Sequence, residues 1–196
     1  MIKERLLKTV EESAELKRRF FSQYAEQIYE VARLIAETFD EGKKLFLFGN
    51  GGSATDASHI AAEFVNRFKR ERPGLPAIAL TTDMAIITSV ANDYNYGEVF
   101  ARQLKALASE GDIVIGISTS GGSTNVLRAM DVAKRKGLVR VAFTGAKGEK
   151  LAQKAEFAFL VPSEETPRIQ EVHIMLGHIL CELVEEILFE LPSKGQ

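Results

Sequence analysis

Between residues 42 and 165, five short apolar runs alternate with stretches in which apolar residues recur at helical spacing. Such runs predict strands, and strands that alternate with helices predict right-handed βαβ units. We therefore expect an α/β fold with a five-stranded parallel sheet, doubly wound by helices on both faces. The predicted strands cover 44–48, 77–80, 112–117, 140–144 and 157–161, and the predicted helices cover 53–70, 83–91, 98–109, 123–136 and 148–153.

Long helices are predicted at both ends of the chain. Apolar residues at helical spacing occupy 3–41, and a second helix with a wide apolar band covers about 167–190. We expect a single domain, 1–196, made of a helical arm (1–41), an α/β core (42–165) and a C-terminal helix (166–190). Because the two end helices carry more apolar surface than one domain covers, we expect them to pack between subunits.

Composition excludes several classes of protein. The chain has 196 residues, a formal net charge of −2 and one cysteine. This charge gives no general attraction to nucleic acid or acidic membranes, so neither is expected as a partner. No apolar run could span a bilayer and the first five residues carry mixed charge, so we expect no signal peptide and a cytoplasmic location. Cys181 lies in an apolar helical stretch and is expected to be buried and inert.

One pattern occurs twice: an apolar strand, a polar turn, Gly-Gly-Ser and then a helix. The two copies cover 45–53 and 114–123. Both loops follow strands at their carboxyl ends, where open α/β sheets bind ligands. Paired glycines let the backbone approach a ligand closely, and Ser53 and Ser123 are predicted at N-cap positions, where unpaired N–H groups favour phosphate.

The second of these loops carries four hydroxyl groups, from Ser118, Thr119, Ser120 and Ser123. The alternative is that both loops are only well-formed strand-to-helix turns, but the pair together favours a site for a phosphate monoester. A nucleotide cofactor is not expected. No Walker sequence occurs, and the partial dinucleotide fingerprint Gly49-x-Gly51-x-x-Ala54 lacks the acidic residue about 20 residues further on.

Imidazole and carboxyl groups occur at helical spacing in two predicted helices. His59 and Glu63 are four residues apart and share a face, and the last helix carries Gln170, His173 and His178. The first pair alone is typical of a solvated helix face. If the two helices converge, a carboxylate and a histidine can transfer protons, and the same side chains can bind zinc. Periodicity leaves open whether His173 or His178 points inward.

Five separate motifs of this chain form a recognisable set. They are Gly49-Asn50-Gly51-Gly52-Ser53, His59-x3-Glu63, Asn92-Asp93, Ser118-Thr119-Ser120-Gly121 and Arg168-Ile169-Gln170-Glu171-x-His173-x4-His178. The set resembles the SIS-domain sugar isomerases and, more narrowly, the phosphoheptose isomerases, over nearly the whole chain. The resemblance implies a single SIS domain with a flavodoxin-like sheet.

The resemblance also implies an activity, a zinc ion and a set of site residues. The activity is conversion of sedoheptulose 7-phosphate to D-glycero-D-manno-heptose 7-phosphate for the lipopolysaccharide core, in a homotetramer whose sites are shared between subunits. By carry-over, Glu63 is the general base, His178 is its partner acid/base, and zinc is bound by His59, Glu63, Gln170 and His178. Phosphate is bound by Ser118, Thr119, Ser120 and Ser123, and the sugar site is lined by Asn50, Gly51, Gly52, Glu63, Asn92, Asp93 and Gln170.

An alternative from another class uses the same fold. A non-catalytic SIS-domain regulator binds the replication initiator DnaA and shares the Arg-Ile-Gln-Glu helix start with this chain. Glu63 and His178 discriminate between the two, and their presence here favours the enzyme. One departure from the family pattern is Thr166-Pro167 before Arg168, where many relatives have an acidic residue; it puts one polar contact to the sugar in doubt.

Overall fold

The computed structural model describes residues 1–189, so the predicted end of the last helix at 190 lies outside the described residues. Strands and helices alternate through the centre of the chain as expected. The strands are β1 Leu45–Gly49, β2 Ala77–Ala79, β3 Ile113–Ser118, β4 Val139–Gly145 and β5 Phe157–Val161. The helices are α1 Ile2–Asp40, α2 Gly52–Val65, α3 Met84–Asp93, α4 Val99–Leu107, α5 Thr124–Arg135, α6 Glu149–Ala152 and α7 Thr166–Phe189, with a 3₁₀ turn at Tyr96–Glu98.

The five strands form one parallel sheet in the order β2-β1-β3-β4-β5. This is the doubly wound, flavodoxin-like order, and it confirms the predicted fold class. Strand β1, second in this order, pairs Leu45 with Ala77 of β2 and with Ile113 of β3. The loops after β1 and β3 therefore lie side by side at the carboxyl edge of the sheet.

Side chains of alternate strand residues form two separate cores. In β1, Leu45 and Leu47 point into the core beneath α1, α2 and α7. Phe46 and Phe48 point into the core on the opposite face, beneath α3, α4 and α5. All four are fully buried, which is why the central strands read as continuous apolar runs rather than alternating ones.

The two long helices pack against each other on one face of the sheet. The last third of α1 is buried against this face, with Val31, Ala32 and Ile35 inaccessible to solvent. The first eleven residues of α1, 2–12, are exposed throughout. They include Ile2 and Leu6, which are 88% and 60% exposed, although apolar side chains favour burial.

Helix α2 is shorter than predicted, since it ends at Val65 and not near residue 70. Arg72 donates to the carbonyl oxygens of Glu63 and Phe64 over 2.9 and 2.7 Å, which satisfies groups that a longer helix would bond internally. The Glu185 carboxylate accepts the backbone N–H groups that would have continued the helix. The segment 66–76 therefore leaves α2 as an irregular loop, which we call the α2–β2 loop.

The end of α3 also differs from the prediction, which stopped at residue 91. Asn92 and Asp93 lie in the last turn of α3. The remaining boundaries differ from the predicted ones by at most two residues. Among residues 1–189, no helix combines the length and the apolar character needed to cross a membrane.

Candidate active site

The two Gly-Gly-Ser loops are tied together by a pair of side-chain amides. Asn50 follows β1 and donates from Nδ2 to Asn125 Oδ1 over 2.9 Å, and Asn125 returns a bond from Nδ2 to Asn50 Oδ1 over 2.8 Å. Asn125 is buried near the start of α5. The reciprocal pair fixes the Asn50 side chain, predicted to line the sugar site, at the sheet edge beside the second loop.

The first loop turns sharply from β1 into α2. Gly51 has a φ of 56°, in the left-handed region that favours glycine, and it is the N-cap of α2. The prediction that Ser53 is the N-cap was wrong: Ser53 is the second residue of the helix and is buried. Ser53 follows two glycines, so the turn exposes backbone groups at the sheet edge, and the Ser53 side chain is buried below the turn.

The second loop arranges hydroxyl groups at the start of α5. Ser118 Oγ and Ser123 Oγ lie 3.0 Å apart, and Ser120 Oγ accepts the Gly122 N–H over 3.3 Å. Ser123 is the N-cap, as predicted, but its side chain makes no capping hydrogen bond. The Val126 N–H donates to Asn125 Oδ1 over 3.0 Å, so the first two N–H groups of α5, those of Thr124 and Asn125, are left for a ligand. Thr119 and Ser120 lie in the same turn and are half-buried and exposed, respectively.

A glycine allows this second loop to pack closely against the backbone at Gly148. Gly121 has a φ of 64°, and a Cβ at this position would lie 2.4 Å from the Gly148 Cα. No side chain fits there without moving backbone. The Ser118 carbonyl oxygen in turn accepts a bond from Thr144 Oγ1 over 2.7 Å. The loop is therefore held in shape before any ligand binds.

His59, Glu63 and His178 converge on one point, although α2 and α7 are far apart in the sequence. His59 Nε2 lies 3.1 Å from Glu63 Oε1 and 3.5 Å from His178 Nε2. The predicted pair on α2 is therefore joined by the second histidine of α7. Burial, and next the charge of His59, lower the pKa of His178, while Glu63 opposes them. These shifts favour a neutral imidazole that can accept or donate a proton near neutral pH.

The donor set of this cluster fits a zinc ion. One ligand atom from each of the three residues lies within 4.8 Å of the other two. Tetrahedral zinc, with bonds of about 2.0–2.2 Å, requires neighbouring ligand atoms about 3.3–3.6 Å apart. The separations of 3.1 and 3.5 Å are close to this spacing. Two imidazoles and a carboxylate are also ordinary zinc ligands, so the site is a candidate metal centre.

Gln170, the fourth predicted zinc ligand, lies elsewhere on α7. Its side chain covers Gly52, where an added Cβ would lie 2.2 Å from Gln170 Nε2. Eight residues separate it from His178, which corresponds to about 12 Å along a helix. Within one chain, Gln170 thus belongs with Asn50, Gly51 and Gly52 at the sheet edge.

His173 is the inward-pointing histidine of α7, a point that periodicity had left open. It is fully buried, and its Nε2 lies 3.2 Å from the Thr144 carbonyl oxygen. Burial lowers the pKa of His173 to about 4, against a smaller opposing effect of that hydrogen bond. His173 is therefore neutral at pH 7 and supports the fold, whereas His178 is the histidine that lies in the cluster with His59 and Glu63.

Asn92 and Asp93 are exposed, and Asn92 Nδ2 donates to Asp93 Oδ1 over 2.9 Å. The described contacts do not join them to the other site residues, so their place in the sugar site stays a prediction. Tyr96, which the sequence analysis did not select, donates from its hydroxyl to Asn50 Oδ1 over 3.1 Å. A lone exposed tyrosine in a 3₁₀ turn gives no signal in the sequence of such a role.

Asp56 is a second residue that sequence reasoning missed. It lies on α2 three residues before His59, and its Oδ2 is buried with no hydrogen-bond partner among residues 1–189. Burial raises the pKa of Asp56 to about 6, and the charge of His59 opposes the rise. The helical spacing of Asp56 and His59 is the one signal that could have drawn attention to it.

Cys181 is buried, as predicted. Burial raises the pKa of its thiol, and the nearby Glu63 carboxylate raises it further. A thiol with a raised pKa stays protonated at neutral pH and is a poor nucleophile.

Comparison with known proteins gives the same family at the levels of sequence and structure. The SIS domain family model matches residues 10–145. The chain is 65% identical over 192 residues to the phosphoheptose isomerase of Thermodesulfovibrio yellowstonii, covering 98% of this chain and 96% of that protein.

Two solved structures are similar over almost their whole length. The phosphoheptose isomerase of Neisseria gonorrhoeae superposes with a TM-score of 0.88 at 36% identity, covering 95% of this chain and all of that one. The enzyme of Francisella tularensis gives a TM-score of 0.90 at 34% identity, with 95% and 99% coverage. The reported relatives are isomerases, which favours the enzyme over the non-catalytic regulator. The chain therefore belongs to the SIS-domain family, among the phosphoheptose isomerases, and is a sugar-phosphate isomerase.

Proposed function

We propose that this isomerase converts sedoheptulose 7-phosphate to D-glycero-D-manno-heptose 7-phosphate, a precursor of heptose in the lipopolysaccharide core. The observation that carries the proposal is the convergence of Glu63 and His178 on His59, within 3.1–3.5 Å. Aldose–ketose isomerisation moves a proton between neighbouring carbons, which requires a carboxylate base and a second group that handles the oxygen-bound protons. The single cysteine and the phosphorylated substrate fit a cytoplasmic location.

The substrate phosphate binds at the second loop. Its oxygens accept the free N–H groups at the start of α5 and the hydroxyl groups of Ser118, Thr119, Ser120 and Ser123, while the helix dipole favours its charge. Asn50, Gly51 and Gly52 then line the sugar chain, with Gln170 above Gly52. Asn92 and Asp93 complete this side of the site.

Proton transfer is assigned to Glu63 and His178. Glu63 removes the proton from C1 of the open-chain ketose and returns it to C2, through an enediol(ate). His178 donates a proton to the C2 oxygen as that carbonyl becomes a hydroxyl, and accepts the proton of the C1 hydroxyl as the aldehyde forms. Glu63 faces His59 through Oε1, which leaves Oε2 for the carbon-bound proton.

A zinc ion bound to His59, Glu63 and His178 would supply additional stabilisation of negative charge on the substrate oxygens. The metal assignment is tested on purified protein by metal analysis and by the change in Tm on adding zinc. If the protein carries no metal, and zinc changes neither Tm nor rate, the assignment is wrong and the imidazole of His178 alone handles the oxygen-bound protons.

We propose that the site is shared between protomers. Glu63 lies eleven residues after Gly52 on α2, which corresponds to about 16 Å away from the sheet edge where the phosphate loop lies. An extended seven-carbon sugar phosphate is shorter than this span, so we assign the phosphate loop to one protomer and Glu63 and His178 to another. Gln170, at the loop end, would reach the metal of a neighbouring protomer in the same way.

We propose a homotetramer as the assembly that brings these parts together. Its interfaces cover the exposed apolar residues of α1, among them Ile2, Leu6 and Leu7. Sedimentation at micromolar concentration should give a tetramer. A stable monomer under these conditions would contradict both the assembly and the shared site.

The proposed activity is tested by incubating the protein with sedoheptulose 7-phosphate and following the sugar by NMR. Appearance of the aldose anomeric signals is expected. In deuterated water, deuterium should appear at C2 of the aldose, since Glu63 exchanges the proton taken from C1 with solvent between the two transfers. Turnover of shorter ketose phosphates without turnover of the heptulose phosphate would change the proposed substrate but not the proposed aldose–ketose isomerisation.

A further inference from the structure

An aromatic side chain outside the three-residue cluster contacts His178. The ring of Phe68, in the α2–β2 loop, stacks on the His178 imidazole with centroids 5.5 Å apart and ring planes 29° from parallel. His59 meets the same imidazole edge-on, with centroids 4.9 Å apart and planes at 77°. One face of His178 thus lies against Phe68, while its Nε2 points to His59.

The loop that carries Phe68 is held by a buried ion pair. Glu185 of α7 accepts the Phe68 N–H on Oε1 and the Lys69 N–H on Oε2, both over 2.9 Å. Arg72 Nε donates to Glu185 Oε1 over 2.8 Å. The side chains of Arg72 and Glu185 are only 1% and 2% exposed, so solvent does not compete for these bonds. The Phe68 backbone is therefore fixed to the helix that carries His178.

A histidine ring that is half-exposed can rotate about its last side-chain torsion, which has a broad two-fold profile. Rotation would turn Nε2 of His178 away from Glu63 and from the substrate oxygens. Stacking against a fixed aromatic ring opposes this rotation and adds packing energy. The Arg72–Glu185 pair thus acts on the imidazole through Phe68.

We propose that Phe68, held by Glu185 and Arg72, is a positioning residue that keeps the His178 imidazole oriented for proton transfer. The proposal rests on the proposed role of His178. Phe68 stacks on the imidazole, and we assign its effect on the reaction to that contact. Supporting groups of this kind typically contribute about 10–100-fold in activity when removed.

The test compares Phe68→Leu, which removes the ring, with Phe68→Tyr, which keeps it. Phe21→Leu is the matched control, because Phe21 is a half-buried aromatic on α1 outside the site. For Phe68→Leu we expect kcat to fall about tenfold with KM nearly unchanged. Phe68→Tyr should retain most of the activity, and Phe21→Leu should retain all of it. Circular dichroism and sedimentation establish that each variant is folded and assembled.

A spectroscopic readout separates positioning from general damage. The chain has three histidines, so its imidazole ¹H–¹³C spectrum is simple to assign with single His→Gln variants. The ring current of Phe68 should displace the His178 C–H signals upfield in the wild type, and Phe68→Leu should abolish this displacement while His173 is unchanged.

If the His178 signals of Phe68→Leu match those of the wild type, the proposal is overturned. It is also overturned if these signals shift but the kcat of Phe68→Leu equals that of the Phe21→Leu control. A wild-type protein inactive on sedoheptulose 7-phosphate would refute the proposed substrate instead. In that case the His178 signals alone decide whether Phe68 orients the imidazole.

Discussion

At the scale of single residues, Glu63 is the side chain on which the proposed chemistry depends most. Glu63→Gln keeps size and hydrogen-bonding capacity but removes the base. We expect kcat to fall at least about a hundredfold, as is typical for loss of a general base. KM should change little, since substrate affinity is assigned to the phosphate loop. Steady-state kinetics with the heptulose phosphate measures both.

The control for this variant is Ser120→Ala, which should raise KM and leave the base in place. Both proteins must be folded and assembled before their rates are compared. Near-wild-type turnover in Glu63→Gln would mean that Glu63 and His59 are only a solvated pair on a helix face.

Gln170 gives a second prediction at this scale. A methyl group at Gly52 would lie 2.2 Å from Gln170 Nε2, so Gly52→Ala must displace that side chain. Since Gln170 is the flexible partner, we expect a small change in Tm and a lower kcat/KM. Gln170→Ala should lower kcat/KM by a similar factor, and the double variant should be no worse than Gln170→Ala alone. Additive losses would mean that Gly52 acts independently of Gln170.

The sequence predicted the members of the His59–Glu63–His178 cluster better than the residues that contact the site from outside it. His59 and Glu63 are visible because four-residue spacing places them on one helix face. Phe68 and Tyr96 are not visible, because their contacts depend on tertiary approach and not on spacing. Motif resemblance named Gln170 as a zinc ligand, but only the structure shows it beside Gly52, two helical turns from His178.

At the scale of elements, the α2–β2 loop depends on one buried ion pair. Glu185→Gln removes the charge that Arg72 faces in the interior and weakens the bonds to the Phe68 and Lys69 N–H groups. Breaking a buried pair in this way typically costs about 3–5 kcal/mol. We expect a marked fall in Tm and in the free energy of unfolding.

Glu182→Gln is the matched control for this prediction. Glu182 lies one turn before Glu185 and pairs with Lys69 at the surface, where both side chains are more than one-third exposed. Such pairs contribute about 0–1 kcal/mol, so the change should be small. Equal effects of the two substitutions would show that Arg72 finds another partner.

The same pair predicts a dependence of stability on pH. Burial alone raises the pKa of Glu185, but hydrogen bonds from Lys69, Phe68 and Arg72 outweigh it and place the pKa below its ordinary value of 4.5. A carboxyl group whose pKa is lowered by folding stabilises the protein above its unfolded pKa. This contribution is lost as the pH falls below about 4.5 and through the folded pKa. The difference in Tm between wild type and Glu185→Gln should therefore be largest at neutral pH and shrink towards pH 3.

Strand and helix order could be predicted because apolar runs and helical periodicity are local signals. The end of α2 could not be predicted, because apolar and basic residues continue the helical pattern to Arg70. What stops the helix is Arg72, whose guanidinium takes the carbonyl oxygens of Glu63 and Phe64, and Glu185, which lies 113 residues beyond Arg72. Here a long-range buried ion pair overrides the local helix propensity.

At the scale of the whole molecule, the separation of Glu63 from the phosphate loop predicts complementation between inactive protomers. Glu63→Gln removes the base, and Ser120→Asp places a negative charge in the phosphate site, where it repels the substrate. Each homogeneous protein should be nearly inactive. In assemblies that contain both, a site with the loop of a Glu63→Gln protomer and the base of a Ser120→Asp protomer carries neither defect.

Random pairing of the two variants makes roughly one shared site in four intact, so co-refolded mixtures should recover about a quarter of wild-type activity. If each protomer held a complete site, every site would keep one defect, and the mixture would show only the mean of its parents. Mixing the folded homogeneous proteins without unfolding is the control, because protomers that do not exchange cannot form hybrid sites. Recovery that appears only after co-refolding would locate the site between protomers, and its absence, with mixed assemblies verified by mass spectrometry, would place Glu63 and the phosphate loop of each site within one protomer.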